Sequence, residues 1–486
     1  MEWKMDEDRI LNDALRKKVM SAEEAAAMIR PGDTLGLSGF TMASYPKMVP
    51  LALAARGYAG EKLGLTLVSG ASVGVEVDSE MVKAGVVARR YSFLNNNDLR
   101  DAANAGDVAF VDINLGEVPQ FIKQGVFGEI DYAIIEASSI DEEGRIIPGM
   151  SIGAVDALVQ KARHVIVELN TLNPVGLKGI HDVYTPQMPP DTEPIPLRHV
   201  MDRIGTPFVP CDPDKIAAIV FSEIPDTVSK MTVPDENIKK IAYNLLLFLK
   251  GEVAAGRLPE QLPPLQSGIG SVGNAILEVL SNSDLRGLYF YSEVLQNSIL
   301  DLIDKGVVKG ASATSLVLFG DNLEKFRKNV DYYKTRIVLR PQELSNGGEI
   351  IRRLGVIAIN TAIEIDLSGN VNSTHIGGDR LMNGIGGSAD YSKNAWISIF
   401  VTQSTAKNGT LSCIVPYVQH VDSTEHDVDV VITEQGYADL RCKTAYERAE
   451  LLISNCAAPQ YRGILRDYLE RCKTECRSHH GIPILK

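Results

Sequence analysis

The feature that most constrains this chain is a repeated alternation of apolar, strand-like runs with segments of helical periodicity. Runs such as Asp33–Phe40 and Tyr132–Ala137 are bounded by turn residues, and helix-like segments separate them along the whole chain. Parallel strands need crossover connections, which are usually helices, and strands that are buried on both faces read as continuous apolar runs. The pattern therefore predicts an α/β fold built on open, mostly parallel sheets.

The predicted elements fall into two groups along the chain. Ser21–Glu24 has the pattern of a capping box and predicts a helix through Ile29, and Ile238–Ala254 has the spacing of an amphipathic helix. The strands predicted in the first half are Asp33–Phe40, Leu65–Gly70, Val108–Ile113, Tyr132–Ala137 and His164–Leu169. Those predicted in the second half are Leu288–Tyr291, Leu316–Phe319, Arg336–Leu339, Trp396–Thr402, Leu411–Val415 and Val428–Thr433, with a hairpin in Ala362–Asn372 that turns at Ser368–Gly369.

The length of the chain and one proline-rich stretch predict two domains. A chain of 486 residues is too long for a single compact core. The segment Met188–Pro213 is rich in proline and charge and is typical of a long loop before a domain boundary. We therefore predict an N-terminal α/β domain over residues 1–225 and a C-terminal α/β domain over residues 226–486.

Composition excludes several classes of protein. The net charge of −13 argues against nucleic acid and anionic membrane surfaces as partners, and no apolar run approaches the roughly 20 residues of a membrane span. The first residues lack the features of a targeting peptide, so we expect a cytoplasmic protein. The six cysteines are too few for a disulfide scaffold, and Cys211 and Cys413 are predicted to be buried thiols. The tail residues Cys472, Cys476, His479 and His480 resemble half a zinc site without a second pair, so we predict a polar helix end and no metal.

The residues of chemical interest follow the predicted strands, because open α/β sheets bind ligands beyond the carboxyl ends of their strands. Glu293 stands directly after the strand Leu288–Tyr291, with apolar neighbours, where a carboxylate is costly to bury unless it is paired or used. The alternative is that Glu293 caps a helix that begins there or pairs with a surface lysine.

Two glycine-rich turns present free backbone amides. Gln266–Asn274 contains G-x-G-x-x-G, but a proline-rich segment and no strand is expected before it, which disfavours a dinucleotide fold. Such a turn at a helix start binds a phosphate or holds an oxyanion, and the alternative is a turn without a ligand. Leu381–Ser388 has three glycines in four positions, and its alternative is an ordinary flexible loop. A carboxylate and two such turns together suit nucleophilic chemistry at a carbonyl carbon.

Several long motifs carry a resemblance that covers the chain from about Ser21 to about Arg471. They include QSGIGSVGNAIL (Gln266–Leu277), YSEVLQ (Tyr291–Gln296), RIVLRPQELSN (Arg336–Asn346), NSTHIGGDRLMNGIGGSADY (Asn372–Tyr391) and NCAAPQYR (Asn455–Arg462). The chain resembles the acetyl-CoA hydrolase/transferase family, the branch of class I CoA-transferases that includes succinyl-CoA:acetate and propionyl-CoA:succinate transferases. The resemblance implies two open α/β domains of the CoA-transferase type with an active site between them.

The resemblance also implies roles for individual residues. Glu293 would be the nucleophile that becomes a glutamyl-CoA thioester, and the amides of Ile269 and Gly387 would be the oxyanion donors. Asn346 and Glu434 match positions that line the active site of the family. CoA would be bound by Gly268, Ile269, Gly270, Ser271, Val272, Asn383 and Gly387. The glycines of Ser38–Phe40 and Gly70–Ser72 would form the wall of the acyl pocket.

The implied reaction is ping-pong transfer of CoA from a short-chain acyl-CoA to a carboxylate such as acetate or succinate. CoA enters as a substrate, no permanently bound cofactor or metal is expected, and a homodimer is implied by the family. His375 is predicted to be structural, and His420 and His426 are predicted to organise a loop. A hydrolase that uses water as the acceptor is the main alternative. A sugar-phosphate isomerase or sensor on a related fold is a further alternative, and it would need a phosphate site and no nucleophilic glutamate. An inactive CoA-binding module is disfavoured, because the glutamate and both glycine turns are present.

Overall fold

The computed structural model describes residues 9–174, 176–227, 234–268, 270–475 and 481–483. Residue contacts divide the chain into two compact units that do not follow chain order. Unit 1 comprises Met1–Ser229, Ser292–Leu300 and Gly310–Ile350, and unit 2 comprises Lys230–Tyr291, Asp301–Lys309 and Ile351–Lys486. Two segments from the second half of the chain therefore belong to unit 1, whereas the division into domains 1–225 and 226–486 stays a prediction.

The helices of the described residues are short in unit 1 and include two long ones in unit 2. They are α1 Asp13–Arg16, α2 Ala22–Ala27, α3 Met48–Tyr58, α4 Asn97–Ala105, α5 Val118–Gln124, α6 Val155–Lys161, α7 Glu236–Ala254, α8 Ser271–Asn282, α9 Ile299–Asp304, α10 Gly320–Lys328, α11 Val330–Tyr333, α12 Gln342–Ser345, α13 Gly348–Leu354, α14 Ser388–Asn394, α15 Ala445–Asn455 and α16 Pro459–Glu475. Short 3₁₀ or π-helical turns are formed by Val75–Met81, Leu115–Glu117, Pro213–Lys215 and Glu425–Asp427.

The strands include long ones in the two main sheets and many of only two or three residues. They are β1 Thr34–Thr41, β2 Leu65–Ser72, β3 Val87–Ser92, β4 Ala109–Asp112, β5 Tyr132–Ile140, β6 Ile146–Pro148, β7 His164–Asn170, β8 Ile216–Ser222, β9 Leu265–Ser267, β10 Leu288–Tyr291, β11 Val294–Leu295, β12 Val308–Ala313, β13 Ser315–Leu316, β14 Ile337–Leu339, β15 Ile357–Thr361, β16 Glu364–Asp366, β17 Val371–Asn372, β18 His375–Ile376, β19 Arg380–Leu381, β20 Ile397–Val401, β21 Thr405–Ala406, β22 Leu411–Ser412, β23 Ile414–Val415, β24 Val430–Thr433 and β25 Gly436–Asp439.

Unit 1 is built on one sheet with the strand order β4-β3-β2-β1-β5-β7-β8. Every neighbouring pair in this order is parallel, and β6 pairs antiparallel with the C-terminal part of β5. The central strands β5 and β7 are buried along nearly their whole length, which explains their continuous apolar sequence. The prediction of a mostly parallel sheet is confirmed here, as is the capping box of Ser21 and Glu24 at the start of α2.

Unit 2 is built on the strand order β10-β9-β15-β20-β24-β25, parallel except for the antiparallel pair of β24 and β25. The predicted hairpin is formed by β16 and β17, with Gly369 in the turn at a φ of 102°. Helices α15 and α16 cover an apolar core that includes Phe400, Val431, Leu452 and Leu469. The prediction of a second α/β sheet is confirmed, and the long helix α7 begins two residues before the predicted Ile238.

Four local predictions were wrong. Of the predicted strand Leu316–Phe319, only Leu316 lies in a strand, the two-residue β13, which pairs with β11 and not with a main sheet. A strand, β9, directly precedes the turn at Gly268, although the sequence predicted none there, because three residues after a run of prolines are too few to show a period. Leu411–Val415 does not join the main sheet but splits into two short strands, β22 and β23. Cys211 is half-buried, whereas Cys413 is buried as predicted.

No helix among the described residues is both long enough and apolar enough to cross a membrane.

Candidate functional site

Glu293 lies at a short break between the strands β10 and β11, and its main chain is fixed by unit 1. Its carbonyl oxygen accepts hydrogen bonds from the amides of Thr314 at 3.0 Å and Ser315 at 3.1 Å. The next residue, Val294, pairs in parallel with Ser315. The following helix, α9, begins only at Ile299, so the alternative in which Glu293 caps that helix is wrong. The carboxylate is therefore carried by a rigid backbone and is partly buried.

The side chain of Glu293 is held by an amide from a distant part of the sequence. Nδ2 of Asn346 donates a hydrogen bond of 2.8 Å to Oε1 of Glu293. Asn346 directly follows α12 and is only 2% exposed, so its amide has little freedom to turn away. Hydrogen bonds to a charged group contribute about 1.5–3 kcal/mol, more than those between neutral groups. Unit 1 thus brings two of the predicted site residues into direct contact.

The segment Arg340–Asn346, which we call the platform, anchors this amide in the interior of unit 1. The Arg340 guanidinium is fully buried, donates to Oγ of Ser312 at 2.8 Å and forms an ion pair with Asp182. The backbone amide of Asp182 also donates a hydrogen bond of 2.8 Å to the carbonyl of Leu339, the residue before Arg340. The buried arginine therefore joins two stretches that are far apart in sequence.

The helix of the platform, α12, is attached at two further points. The amide of Gln342 donates to the carbonyl of Gly153 at 2.8 Å, and its side chain donates to the carbonyl of Leu115. Glu343 forms a buried ion pair with Lys123 at 2.7 Å. Burial raises the pKa of Glu343, although the neighbouring lysine opposes the shift. The first two residues of this short helix are therefore fixed, three residues before Asn346.

Gly70 allows the platform to pack closely. A Cβ at Gly70 would lie 2.2 Å from Oε1 of Gln342, which is closer than side chains tolerate. The resemblance assigned Gly70–Ser72 to the wall of an acyl pocket. The structure gives Gly70 a packing reason of its own, because a Cβ at this position would require the end of the buried Gln342 side chain to move.

In unit 2, the first glycine turn connects β9 to α8. The amide of Gly268 donates to the carbonyl of Ile359 at 3.2 Å. Gly270 precedes α8 with a φ of 105° and a ψ of −167°, a conformation that is essentially restricted to glycine. Ser271 and Val272 form the first turn of that helix. Ile269, the predicted oxyanion donor of this turn, lies outside the described residues.

The second glycine turn of unit 2 precedes α14. Gly387 is the N-cap residue of α14, and its carbonyl accepts the hydrogen bond of Tyr391 at 3.0 Å. The amide of Asn383 donates to the carbonyl of Thr374 at 3.2 Å. The turn is therefore tied at its first residues to the strand region around Thr374, and a helix N-terminus begins at its end.

Glu434 follows the strand β24 and organises a neighbouring turn. Its carboxylate accepts hydrogen bonds from the amide of Ser404 at 2.8 Å, from the Ser404 hydroxyl and from the side chain of Gln435 at 2.9 Å. The three donors hold the carboxylate firmly in place. The predicted role of Glu434 in lining an active site stays a prediction.

His375 and His420 are in ring contact, and each forms a hydrogen bond with a neighbouring side chain, in agreement with their predicted structural roles, whereas the side chain of His426 is exposed. The rings of His375 and His420 lie 3.8 Å apart, and Asp422 accepts from His420 at 3.1 Å and from Thr374 at 2.9 Å. Nδ1 of His375 lies 2.7 Å from the hydroxyl of Thr374. Burial and the neighbouring His420 lower the pKa of His375.

Of the predicted tail cluster, only Cys472 is described, and it is buried, while Cys476, His479 and His480 lie outside the described residues. Within the part of the chain that the structure describes, Asp141, Glu142 and Glu143 are close enough together to suggest a cation site. Asp141 is already paired with Arg145 at 2.7 Å and Lys178 at 3.2 Å, so this group is explained by its ion pairs.

Profiles of one protein family match both halves of the chain. The N-terminal domain of the acetyl-CoA hydrolase/transferase family matches residues 4–221, and its C-terminal domain matches residues 323–469. The chain belongs to the acetyl-CoA hydrolase/transferase family. Its members act on acyl-CoA thioesters, so the chain is an enzyme of the CoA-transferase and hydrolase type, as the motifs predicted.

Individual relatives support both activities of the family. The chain is 45% identical to the succinyl-CoA:acetate CoA-transferase of Clostridium kluyveri, over 98% of this chain and 88% of that protein. It is 40% identical to the acetyl-CoA hydrolase of Yarrowia lipolytica, over 94% of this chain and 90% of that protein. The crystal structure of 4-hydroxybutyrate CoA-transferase from Porphyromonas gingivalis has the same fold, with a TM-score of 0.64 at 22% identity over 94% of this chain and 99% of that chain.

The sequence did not reveal the contacts that hold the platform. Arg340 and Asp182 are 158 positions apart, and Lys123 and Glu343 are 220 apart, so spacing along the chain carries no signal for either pair. The one available signal was the dense run of polar residues directly after a buried strand, Ile337–Leu339.

Proposed function

We propose that this enzyme transfers CoA from a short-chain acyl-CoA, such as acetyl-, propionyl- or succinyl-CoA, to a carboxylate acceptor such as acetate or succinate. The observation that carries the proposal is the 2.8 Å hydrogen bond from Asn346 to the carboxylate of Glu293. A glutamate that is held by a buried amide, on a rigid backbone between two strands, is oriented for attack before substrate arrives.

In the proposed reaction, a carboxylate oxygen of Glu293 attacks the thioester carbonyl of the acyl-CoA. The C–S bond breaks, CoA leaves as a thiolate, and a mixed anhydride joins Glu293 to the acyl group. The thiolate then attacks the Glu293 carbonyl, which releases the first carboxylic acid as its anion and leaves a glutamyl-CoA thioester. A second carboxylate enters and the two steps run in reverse. The thioester energy is conserved, so the reaction needs no nucleotide or metal.

Each tetrahedral centre in this sequence carries a negatively charged oxygen that backbone amides stabilise. We propose the amides of Ile269 and Gly387 for this role, supported by the position of Gly387 at the start of α14. Gly268, Gly270, Ser271, Val272 and Asn383 are proposed to bind CoA, since the turn at Gly268–Gly270 ends at the N-terminus of α8. Loss of one oxyanion donor typically lowers kcat about 10²–10³-fold.

Acetate is the acceptor that we favour. The name of the relative from Clostridium kluyveri pairs succinyl-CoA with acetate, and that protein is 45% identical to this chain. A homodimer and a cytoplasmic location are also proposed, on the family resemblance.

Hydrolysis of acetyl-CoA is the second candidate function, because relatives such as that of Yarrowia lipolytica are named acetyl-CoA hydrolases. In this reaction water instead of a carboxylate would discharge the enzyme. The two activities differ only in the final acceptor. Analysis of the products therefore distinguishes them, whereas the rate of the first chemical step does not.

The experiment that tests the proposal measures products with succinyl-CoA as donor, in the presence and absence of acetate. The transferase predicts acetyl-CoA and succinate in equal amounts when acetate is present, and little release of free CoA when it is absent. Free CoA that appears at the same rate with and without acetate would contradict the transferase and support the hydrolase. A CoA release that requires neither Glu293 nor acetate would contradict both.

A further inference from the structure

Ser345 lies directly before Asn346 and contacts the same amide that holds Glu293. Its Oγ is 3.0 Å from Oδ1 of Asn346, and the residue is fully buried. The same hydroxyl is 3.4 Å from the carbonyl oxygen of Gln342, a longer contact. A hydroxyl has a single proton to donate, so the shorter contact with Asn346 is favoured.

The orientation of the Asn346 amide follows from the chemistry on its two sides. An ionised carboxylate only accepts hydrogen bonds, so the group that faces Glu293 must be the NH₂ of Asn346. Its oxygen then faces Ser345, where the hydroxyl donates to it. The carboxylate excludes the opposite orientation, since turning the amide by 180° would point its oxygen at Glu293, and the Ser345 hydroxyl adds a second hydrogen bond to the orientation that remains.

We propose that Ser345 is a positioning residue that keeps the Asn346 amide turned with its NH₂ towards Glu293. This inference rests on the proposed function, in which Glu293 is the nucleophile. Ser345 does not touch substrate in this account and acts through Asn346. The hydroxyl stabilises one amide orientation, and through it one orientation of the Glu293 carboxylate, in a pocket where the platform is already fixed by Arg340 and Gln342.

The expected cost of losing the hydroxyl is small but measurable. Replacing serine with alanine at a buried position removes one hydrogen bond with little change of shape. Net contributions of single hydrogen bonds correspond to about a threefold to tenfold change in rate when the bond orients a reacting group. Loss of Asn346 itself is expected to cost more, because its hydrogen bond is made to a charged group.

The test compares four proteins: wild type, Ser345→Ala, Asn346→Ala and the double variant. Each is mixed with acetyl-CoA, quenched at intervals, and the rate of appearance of the covalent CoA adduct is followed by intact-mass spectrometry. Ser345→Ala is expected to slow adduct formation about threefold to tenfold in the wild-type background. In the Asn346→Ala background it is expected to cause no further slowing, because the hydroxyl then has no amide to orient.

A matched control is Ser138→Ala, which removes another buried hydroxyl of unit 1. The Ser138 hydroxyl lies 3.1 Å from the carbonyl oxygens of both Ile147 and Pro148, so that its one proton has an acceptor on either side, and the residue is 4% exposed. Its rate of adduct formation is expected to equal that of wild type. If Ser345→Ala does not yield folded protein, Ser345→Cys replaces it, because a thiol is similar in size and a weaker donor, and a smaller slowing is then expected.

Two results would overturn the proposal. Wild-type rates in Ser345→Ala would show that the hydroxyl does not orient the amide. The same factor of slowing with and without Asn346 would show that Ser345 acts on packing and not through the amide. Failure of the proposed function looks different, because wild-type protein would then form no adduct at all; that result would overturn both proposals together.

Discussion

The candidate residues of the two units are held in contrasting ways. In unit 1, Glu293 and Asn346 are positioned by buried side chains, which reach from the platform to Ser312, Asp182 and Lys123. In unit 2, the glycine turns offer backbone amides, and a side chain added at Gly270 would meet nothing within 4 Å. The difference teaches that contacts between side chains position the candidate residues of unit 1, whereas backbone conformation positions those of unit 2.

The largest expected effect lies in the buried ion pair beneath the platform. Arg340→Met leaves the carboxylate of Asp182 buried without its cation, which typically costs about 3–5 kcal/mol of stability. We expect a clearly lower Tm by calorimetry, together with loss of activity. Arg163→Met is the matched control, because Arg163 and its partner Glu129 are both exposed, and its Tm should equal that of wild type. An unchanged Tm in Arg340→Met would contradict the claim that buried side-chain contacts hold the site residues of unit 1 in place.

A smaller effect is expected at the contact with the carboxylate. Asn346→Ala removes the donor to Glu293 while leaving the main chain of the platform in place. Hydrogen bonds to charged groups contribute about 1.5–3 kcal/mol, so kcat should fall roughly 10–10²-fold, with the KM for acyl-CoA little changed. Steady-state kinetics measure this, with the exposed Asn104→Ala as control. A raised KM with unchanged kcat would place Asn346 in substrate binding instead.

A substitution in the first glycine turn of unit 2 tests whether backbone conformation matters there. Gly270→Ala adds a side chain that fits sterically but forces an unfavourable φ of 105°. Strain of this kind costs about 1–3 kcal/mol, part of which an exposed turn relieves by moving, so we expect a KM for acyl-CoA that is about fivefold higher. Unchanged kinetics would show that the conformation of this turn is not used in binding CoA.

The smallest effect is expected at a glycine of unit 2 that has no special conformation. Gly251 lies inside α7, and a Cβ there would meet no atom within 4 Å. Gly251→Ala should therefore stabilise the protein by up to about 1 kcal/mol through helix propensity and leave kinetics unchanged. A Tm lower than that of wild type would be inconsistent with the open surroundings of this position.

Much of the fold was predictable from the sequence, because apolar runs and helical periodicity report burial directly. The strand before Glu293, Leu288–Tyr291, and the hairpin at Gly369 both follow from local pattern. The strand β9 was missed, since three residues that follow prolines show no alternation. Short strands of this kind are defined by their neighbours in the sheet, here β10 and β15, and not by their own sequence.

The candidate site was predictable only in part, because motifs identify its residues but not the contacts between them. Glu293 and Asn346 were singled out by motif, but their contact joins positions 53 apart and depends on how α12 is anchored. The anchors, Arg340 with Asp182 and Glu343 with Lys123, pair residues from opposite halves of the chain. Such pairs are set by tertiary packing, which a single sequence does not display.

The central claim is that Glu293 carries CoA covalently, and intact-mass spectrometry tests it most directly. Wild-type protein mixed with acetyl-CoA or succinyl-CoA should gain the mass of one CoA less one water, and acetate should discharge the adduct. Glu293→Ala should gain no mass under the same conditions. A wild-type protein that remains unmodified with either acyl-CoA, or a Glu293→Ala variant that forms the same adduct, would contradict the account.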